Sequence, residues 1–311
     1  MAVLIATALC AMGCERSHSA PTVDTTASRA STPPRTTRAT SVPASGWETS
    51  AGAVLVVRDS APSSAFVIFP QYTDSVLPDT VRFDDAALAG TPLDLLGRAG
   101  QVGEARLGTV TNQEWSGSGC IEWPTASLRT VSDTALPPMW SVAFTAGRVQ
   151  PIALDSLEAL SRPDSARLAA DITRLASALP NDTVPAFRGV PFAVDRAYRF
   201  SLASGVRVIV SEVVQRLNQE ANPLEQEILL VAERDSAGKN ARPRTVYFER
   251  NSGSEDRLET FDVLAAVMLG TPRRPTLVLL REGPETNAYA LLERGTDGQW
   301  RLRWTSARTG C

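Results

Sequence analysis

From Trp47 onward the chain is a succession of short apolar runs broken by turn residues, and this pattern most constrains the fold. The runs "AVLVVRD", "SAFVIFPQY", "TVRFD", "EARLGTVT", "CIEWPTASL" and "MWSVAFTAG" are rich in β-branched and aromatic residues and too short for helices. Bounded by turn residues, they predict strands. After Pro185 the pattern resumes with "YRFSLA", "VRVIVSEVVQRL", "QEILLVAER", "RTVYFER", "ETFDVLAAVML", "PTLVLLRE", "AYALLER" and "QWRLRWT". Turns such as "RDSAGKN", "NSGSED" and "RGTDGQ" separate them, so neighbouring strands are expected to be antiparallel. In the last run, Trp300 and Trp304 are an even step apart, which predicts both rings on one face.

A helical segment interrupts the strands. In "LDSLEALSRPDSARLAADITRLASALP", Leu168, Ile172, Leu175 and Leu179 recur at steps of three and four and form one apolar face for packing on a sheet. Ser161 followed by Pro163 and Asp164 reads as a helix start, with the serine as cap. Asp155 is expected to open a shorter helix before it. The predicted class is therefore α+β: mainly antiparallel β, as a sandwich or curved sheets, with one helical segment (151–184) between two β-rich halves (49–150 and 185–311).

Composition excludes several chemistries. The 311 residues carry a formal net charge of −3 with acids and bases mixed along the chain. No basic stripe matches a phosphate backbone, which argues against nucleic acid as a partner. The single histidine, His18, falls in a segment expected to be a tether, and Lys239 is the only lysine. A Ser-His-Asp triad, a Cys-His pair and a histidine-rich zinc site are thereby ruled out of the folded part, because each needs an imidazole there. No cofactor and no metal site is expected. An enzyme built on this chain must work with carboxylates, hydroxyls and arginines.

Residues Ala2 to Gly13 are apolar or small without interruption, too few to span a bilayer and of the length of a signal-peptide core. Ala11-Met12-Gly13-Cys14 resembles the motif of bacterial lipoprotein signals. The resemblance implies that residues 1–13, with Cys10, are removed and that Cys14 is acylated, anchoring the protein in the cell envelope by its acyl chains alone. Residues 14–48 are dominated by Ser, Thr, Pro and Ala, and form an expected disordered tether with a mean reach of roughly 30 Å as a flexible coil. Of the four cysteines, Cys120 and Cys311 then remain. An exported compartment permits a disulfide between them, the alternative being two unrelated thiols.

Residues 259–305 are also similar to a blade of the FG-GAP repeat proteins. The stretch matching their calcium loop, Leu269-Gly270-Thr271-Pro272-Arg273-Arg274-Pro275, has no carboxylate, so the resemblance implies no calcium site. Three groups remain as candidate sites. Asn218, Gln219, Glu220 and Asn222 are polar groups suited to sugar or peptide contacts, or a plain hairpin connection. Asp84, Asp85, Asp94 and Glu104 lie among glycines whose spacing fits neither a dinucleotide fingerprint nor a P-loop; they are carboxylates for glycoside hydrolysis, or surface acids. Trp115, Trp123, Trp140, Trp300 and Trp304 cluster in sequence around the two cysteines, as a core pile or an exposed platform. The functional expectation is a non-enzymatic binding or structural module of the envelope, with an envelope protein or glycan as partner. The alternative is a carboxylate-based hydrolase of envelope glycans.

Overall fold

The structure, a computed structural model, describes residues 46–73, 76–77, 87–111, 121–131, 135–180, 184–217, 223–234, 242–254 and 257–310. The first half closes into an antiparallel barrel of β1 (Leu55–Arg58), β2 (Ser64–Ile68), β3 (Pro92–Gly97), β4 (Gly100–Thr111), β5 (Thr125–Thr130) and β6 (Val142–Thr145), in the order β1-β2-β5-β4-β3-β6. Pairing of Val56 with Ala143 and of Val57 with Val142 joins the first strand to the last and removes the open edge.

Two further sheets follow. One has the order β12-β11-β10-β9-β8, from β8 (Asp155–Ser156), β9 (Ala193–Ser201), β10 (Arg207–Leu217), β11 (Leu224–Arg234) and β12 (Arg244–Ser254). The other runs β16-β15-β14-β13-β7, from β7 (Gln150–Ile152), β13 (Thr260–Leu269), β14 (Arg274–Glu282), β15 (Thr286–Arg294) and β16 (Trp300–Thr305), with β17 (Thr309–Gly310) beside β15. All these pairings are antiparallel, as the turn spacing predicts. The short stretch 150–156 gives an edge strand to each sheet in succession. Asp155 belongs to β8 and bonds Arg199, and the turn of 3₁₀ helix after it starts at Leu157, so the expected helix opening at Asp155 is a strand. Two residues paired on β9 outcompete the local helical signal.

The sheets stack face to face and bury a core in which Val208, Val210, Leu229 and Val231 meet Phe261, Val263, Leu277 and Leu292. The second sheet turns its other face to the barrel. There Val267, Leu269, Leu291 and Trp304 join Leu55, Val67, Leu95, Leu107 and Phe144 in one cluster. On the far face of the first sheet lies the helix α1 (Arg162–Ser177), whose Leu168, Ile172 and Leu175 pack on Ile209, Val213, Ile228 and Leu230. Covered on both faces, β10 and β11 are buried along nearly their whole length instead of alternating. The order of layers is thus helix, sheet, sheet, barrel.

The helix starts where its sequence says it should. Ser161 caps it, its Oγ accepting from the Asp164 amide, and Pro163 occupies the first turn, where no amide donor is needed. Because the side chain of Ile172 is fully enclosed, Ile172→Ala is expected to cost about 2–5 kcal/mol in urea unfolding. A loss below about 1 kcal/mol would mean that the helix does not dock on the sheet in solution.

One expectation about faces is overturned. Trp300 lies in the core between the sheets and Trp304 in the core against the barrel, on opposite sides of β16. The reason is a bulge: Leu292 pairs with Leu302 and Leu291 with Trp304, so Arg303 is the extra residue that inverts the alternation. Trp47 stands edge-on to Trp304 at 4.9 Å, and its Nε1 donates to the Gly52 carbonyl, so the described body reaches back to Gly46.

Candidate functional site

Along the inner face of β11, period-two alternation presents Glu225, Glu227, Leu229, Val231 and Glu233: acids at both ends of an apolar stripe. The two ends are treated differently. Glu233, 1% exposed, accepts from Arg294 Nε at 2.6 Å and Nη2 at 3.0 Å, and from Trp300 Nε1 at 2.7 Å. Burial alone raises a carboxyl, but these donors outweigh it and hold Glu233 below the ordinary glutamate value.

At the other end Glu212 from β10 joins Glu227. The two are diagonal neighbours, since Glu212 pairs with Leu229 and Val214 with Glu227. Glu212 is 2% exposed; its Oε2 lies 3.4 Å from Arg196 Nη1, and its Oε1 accepts no hydrogen bond. Glu227 is 4% exposed, and its Oε1 accepts from the Phe261 amide at 3.2 Å. Burial pushes Glu212 up to about 8; Arg196 opposes this, and Asp262, Glu227 and Asp195 add to it. Burial likewise lifts Glu227 to about 7 against the pull of the Phe261 amide, with Glu225 and Asp195 raising it further.

These groups line a cavity of about 170 Å³ between the sheets, with Val214, Thr260, Phe261 and Glu282 completing the wall. Its one central cation is overcommitted: Arg196 lies 3.2 Å from Asp262, 3.4 Å from Glu212 and 3.7 Å from Asp195. Arg98, in the β3–β4 turn of the barrel, reaches across to bind both oxygens of Asp262 at 2.5 and 2.7 Å and the Val263 carbonyl at 2.8 Å. The barrel thereby fixes one wall of the cavity. A larger groove of about 460 Å³ runs beneath α1, but its charges neutralise one another, with Arg199 on Asp155 and Arg167 on Asp164. The perturbed carboxyls make the smaller cavity the better candidate.

The sequence-predicted sites fare unevenly. Cys14, His18, Asp84, Asp85, Trp115, Cys120, Asn218, Gln219, Glu220, Asn222, Lys239 and Cys311 lie outside the described residues. The strands that flank 218–222 bring Arg216 and Glu225 to the cavity, 3.0 Å apart. Glu104 stands opposite Asp94 in the β3–β4 hairpin, where Asp94 accepts from Gln101 and from the Gly147 amide; both are surface groups of a turn-tying arrangement. Trp123, Trp140, Trp300 and Trp304 are buried, as core and not as a platform. Glu212, Glu225 and Glu227 were not singled out from sequence. For Glu212 a signal was present, a carboxylate within the largely apolar run "VIVSEVV".

Among the described residues no three acidic, cysteine or histidine side chains are arranged to hold a metal ion, and no helix is long and apolar enough to cross a membrane. Comparison with family models, with curated proteins and with solved structures finds no match to this chain.

Proposed function

We propose that the chain is a lipid-anchored binding module of a bacterial cell envelope, tethered through Cys14, with the acidic cavity between its sheets as the ligand seat. The observation that carries the seat is Glu212: a buried carboxyl whose Oε1 has no partner, on the wall of a cavity. A folded chain tolerates such a group at a cost of stability unless something else fills the place. The anchor rests on the lipoprotein-like motif, and the expected partner is an envelope protein or glycan.

A second reading, hydrolysis of an envelope glycan, is favoured by one observation. Glu212 titrates near neutrality, as a general acid must, and Asp262 stands across the same cavity, bound by Arg98 and Arg196. Equilibrium dialysis of the purified chain against envelope fractions tests both readings. Binding by the wild type that Glu212→Gln abolishes supports the seat, and retention unchanged in the variant removes it. New reducing ends released from the glycan fraction by the wild type alone would establish the second reading over the first.

A further inference from the structure

We infer that the cavity between the sheets receives a primary ammonium group, held between Glu212 and Glu227 with its carbon chain against Phe261 and Val214. The inference rests on the reading of this cavity as the ligand seat and adds the class of ligand.

The charge balance points to a cation. The lining carries six carboxyl groups, namely Asp195, Glu212, Glu225, Glu227, Asp262 and Glu282, against the guanidinium groups of Arg196 and Arg216. Arg196 is divided among three acids, Arg216 is engaged with Glu225, and Arg98 serves Asp262 from the barrel side. Nothing among these fixed cations reaches Oε1 of Glu212. Burial favours the protonated carboxyls of Glu212 and Glu227. A bound cation relieves the excess negative charge without those protons.

Geometry narrows the cation. Diagonal neighbours on one face of an antiparallel pair are spaced by roughly 7–8 Å, so a donor between Glu212 and Glu227 can bond both carboxylates. A divalent cation instead demands about six or more oxygens converging on one point, and among the described residues no such grouping exists. A quaternary ammonium has no N–H to give to Oε1 and is recognised by aromatic cages, whereas among the described residues Phe261 is the only ring on the lining. A primary ammonium supplies three donors, and the methylene next to it finds apolar contact on Phe261 and Val214. The volume of about 170 Å³ admits a short amine or the end of a lysine side chain.

Binding must then be linked to protons. Each glutamate that ionises beside the ammonium releases one proton, so affinity rises with pH through the range in which Glu212 and Glu227 lose theirs. The remaining titratable and charged groups facing them are Asp195, Glu225, Asp262, Glu282, Arg196, Arg216 and, near Arg98, Tyr198.

The test is calorimetric titration of the full chain with propylammonium, Nα-acetyl-lysine amide, tetramethylammonium and calcium chlorides at pH 6 and pH 8.5, in two buffers of different ionisation heat. Propylammonium is expected to bind about tenfold or more tightly at pH 8.5 than at pH 6, and to release protons at pH 6, where both glutamates still hold them, but few at pH 8.5. Glu212→Gln, which preserves shape, should weaken binding about tenfold and flatten its pH dependence, with thermal unfolding of the variant showing that it is folded. Equal binding of the lysine derivative identifies a protein side chain as the source of the amine; binding of propylammonium alone identifies a free amine. Equal binding of tetramethylammonium, preference for calcium, or unchanged binding by Glu212→Gln overturns the inference. If no cation binds yet dialysis still retains an envelope ligand through Glu212, the amine is wrong and the seat stands. If neither binds, both fall.

Discussion

Stability is expected to peak near pH 5 and to fall by several kcal/mol by pH 8.5, the reverse of what an ordinary surface carboxylate would produce. Glu212 and Glu227 are lifted from 4.5 to about 8 and about 7. Between pH 4.5 and 8 the folded chain therefore holds protons that the unfolded chain has already released. Stability is fully present below the unfolded value and is lost as pH rises through the folded ones. Each unit of displacement corresponds to about 1.4 kcal/mol, so two enclosed groups make an effect on the order of several kcal/mol. On the acid side the sign reverses. Burial raises Glu259 as it does Glu233, but Arg281 and Arg308 hold Glu259 low, and Arg294 and Trp300 hold Glu233 low. Their contribution is present above 4.5 and disappears as pH falls below it. Urea unfolding at pH 3.5, 5, 6.5 and 8.5 should trace this dome. Glu212→Gln should match the wild type at pH 5 and exceed it at pH 8.5, because the amide has no charge to bury. Stability that stays level from pH 5 to 8.5 would show that water or a bound cation already neutralises the cavity.

The second large effect concerns Cys120 and Cys311. Their chain neighbours Ile121 and Gly310 exchange both backbone hydrogen bonds, at 3.0 and 2.8 Å, as an antiparallel bridge. The described residues next to each cysteine in the chain are thereby paired with one another, which supports a disulfide between Cys120 and Cys311. We propose this bond. It closes a loop of most of the folded chain, for which chain entropy predicts about 5 kcal/mol. The protein should lose two protons' mass relative to the reduced form, and reduction or Cys120→Ser should lower the melting temperature by roughly 10 °C or more. Two free thiols by intact mass, with melting indifferent to reductant, would refute the pairing. Gly310 makes the bridge feasible: at φ 141° it sits so close to β15 that a Cβ would run into the Glu285 carbonyl.

What was legible in the sequence follows the range of the forces involved. The helix could be read in detail, because a serine cap, a proline in the first turn and an apolar stripe are local signals. Strands such as Ser64–Ile68 and Leu224–Arg234 could be read because their runs carry their own β preference. Strand β7 could not, since Gln150–Ile152 is a strand only because β13 lies beside it. The barrel strand Pro92–Gly97 was hidden within a glycine-rich stretch that looked like a loop with acids. The tryptophan faces went astray at a single bulged residue, Arg303. The acids of the cavity passed unremarked, because nothing within a single strand shows that two sheets will enclose them. Glu212 and Asp262 are brought together by Arg196 and by packing, not by sequence proximity.

The sheet shared by barrel and sandwich has a consequence for how the protein is born. The barrel strands leave the ribosome first, yet the wall they lean on is made of β13 to β16, from Thr260 onward. Its edge strand β7 waits for β13 across more than a third of the chain. During synthesis the early half therefore keeps an uncovered apolar side until the final strands arrive, and its folding is paced by the last residues made.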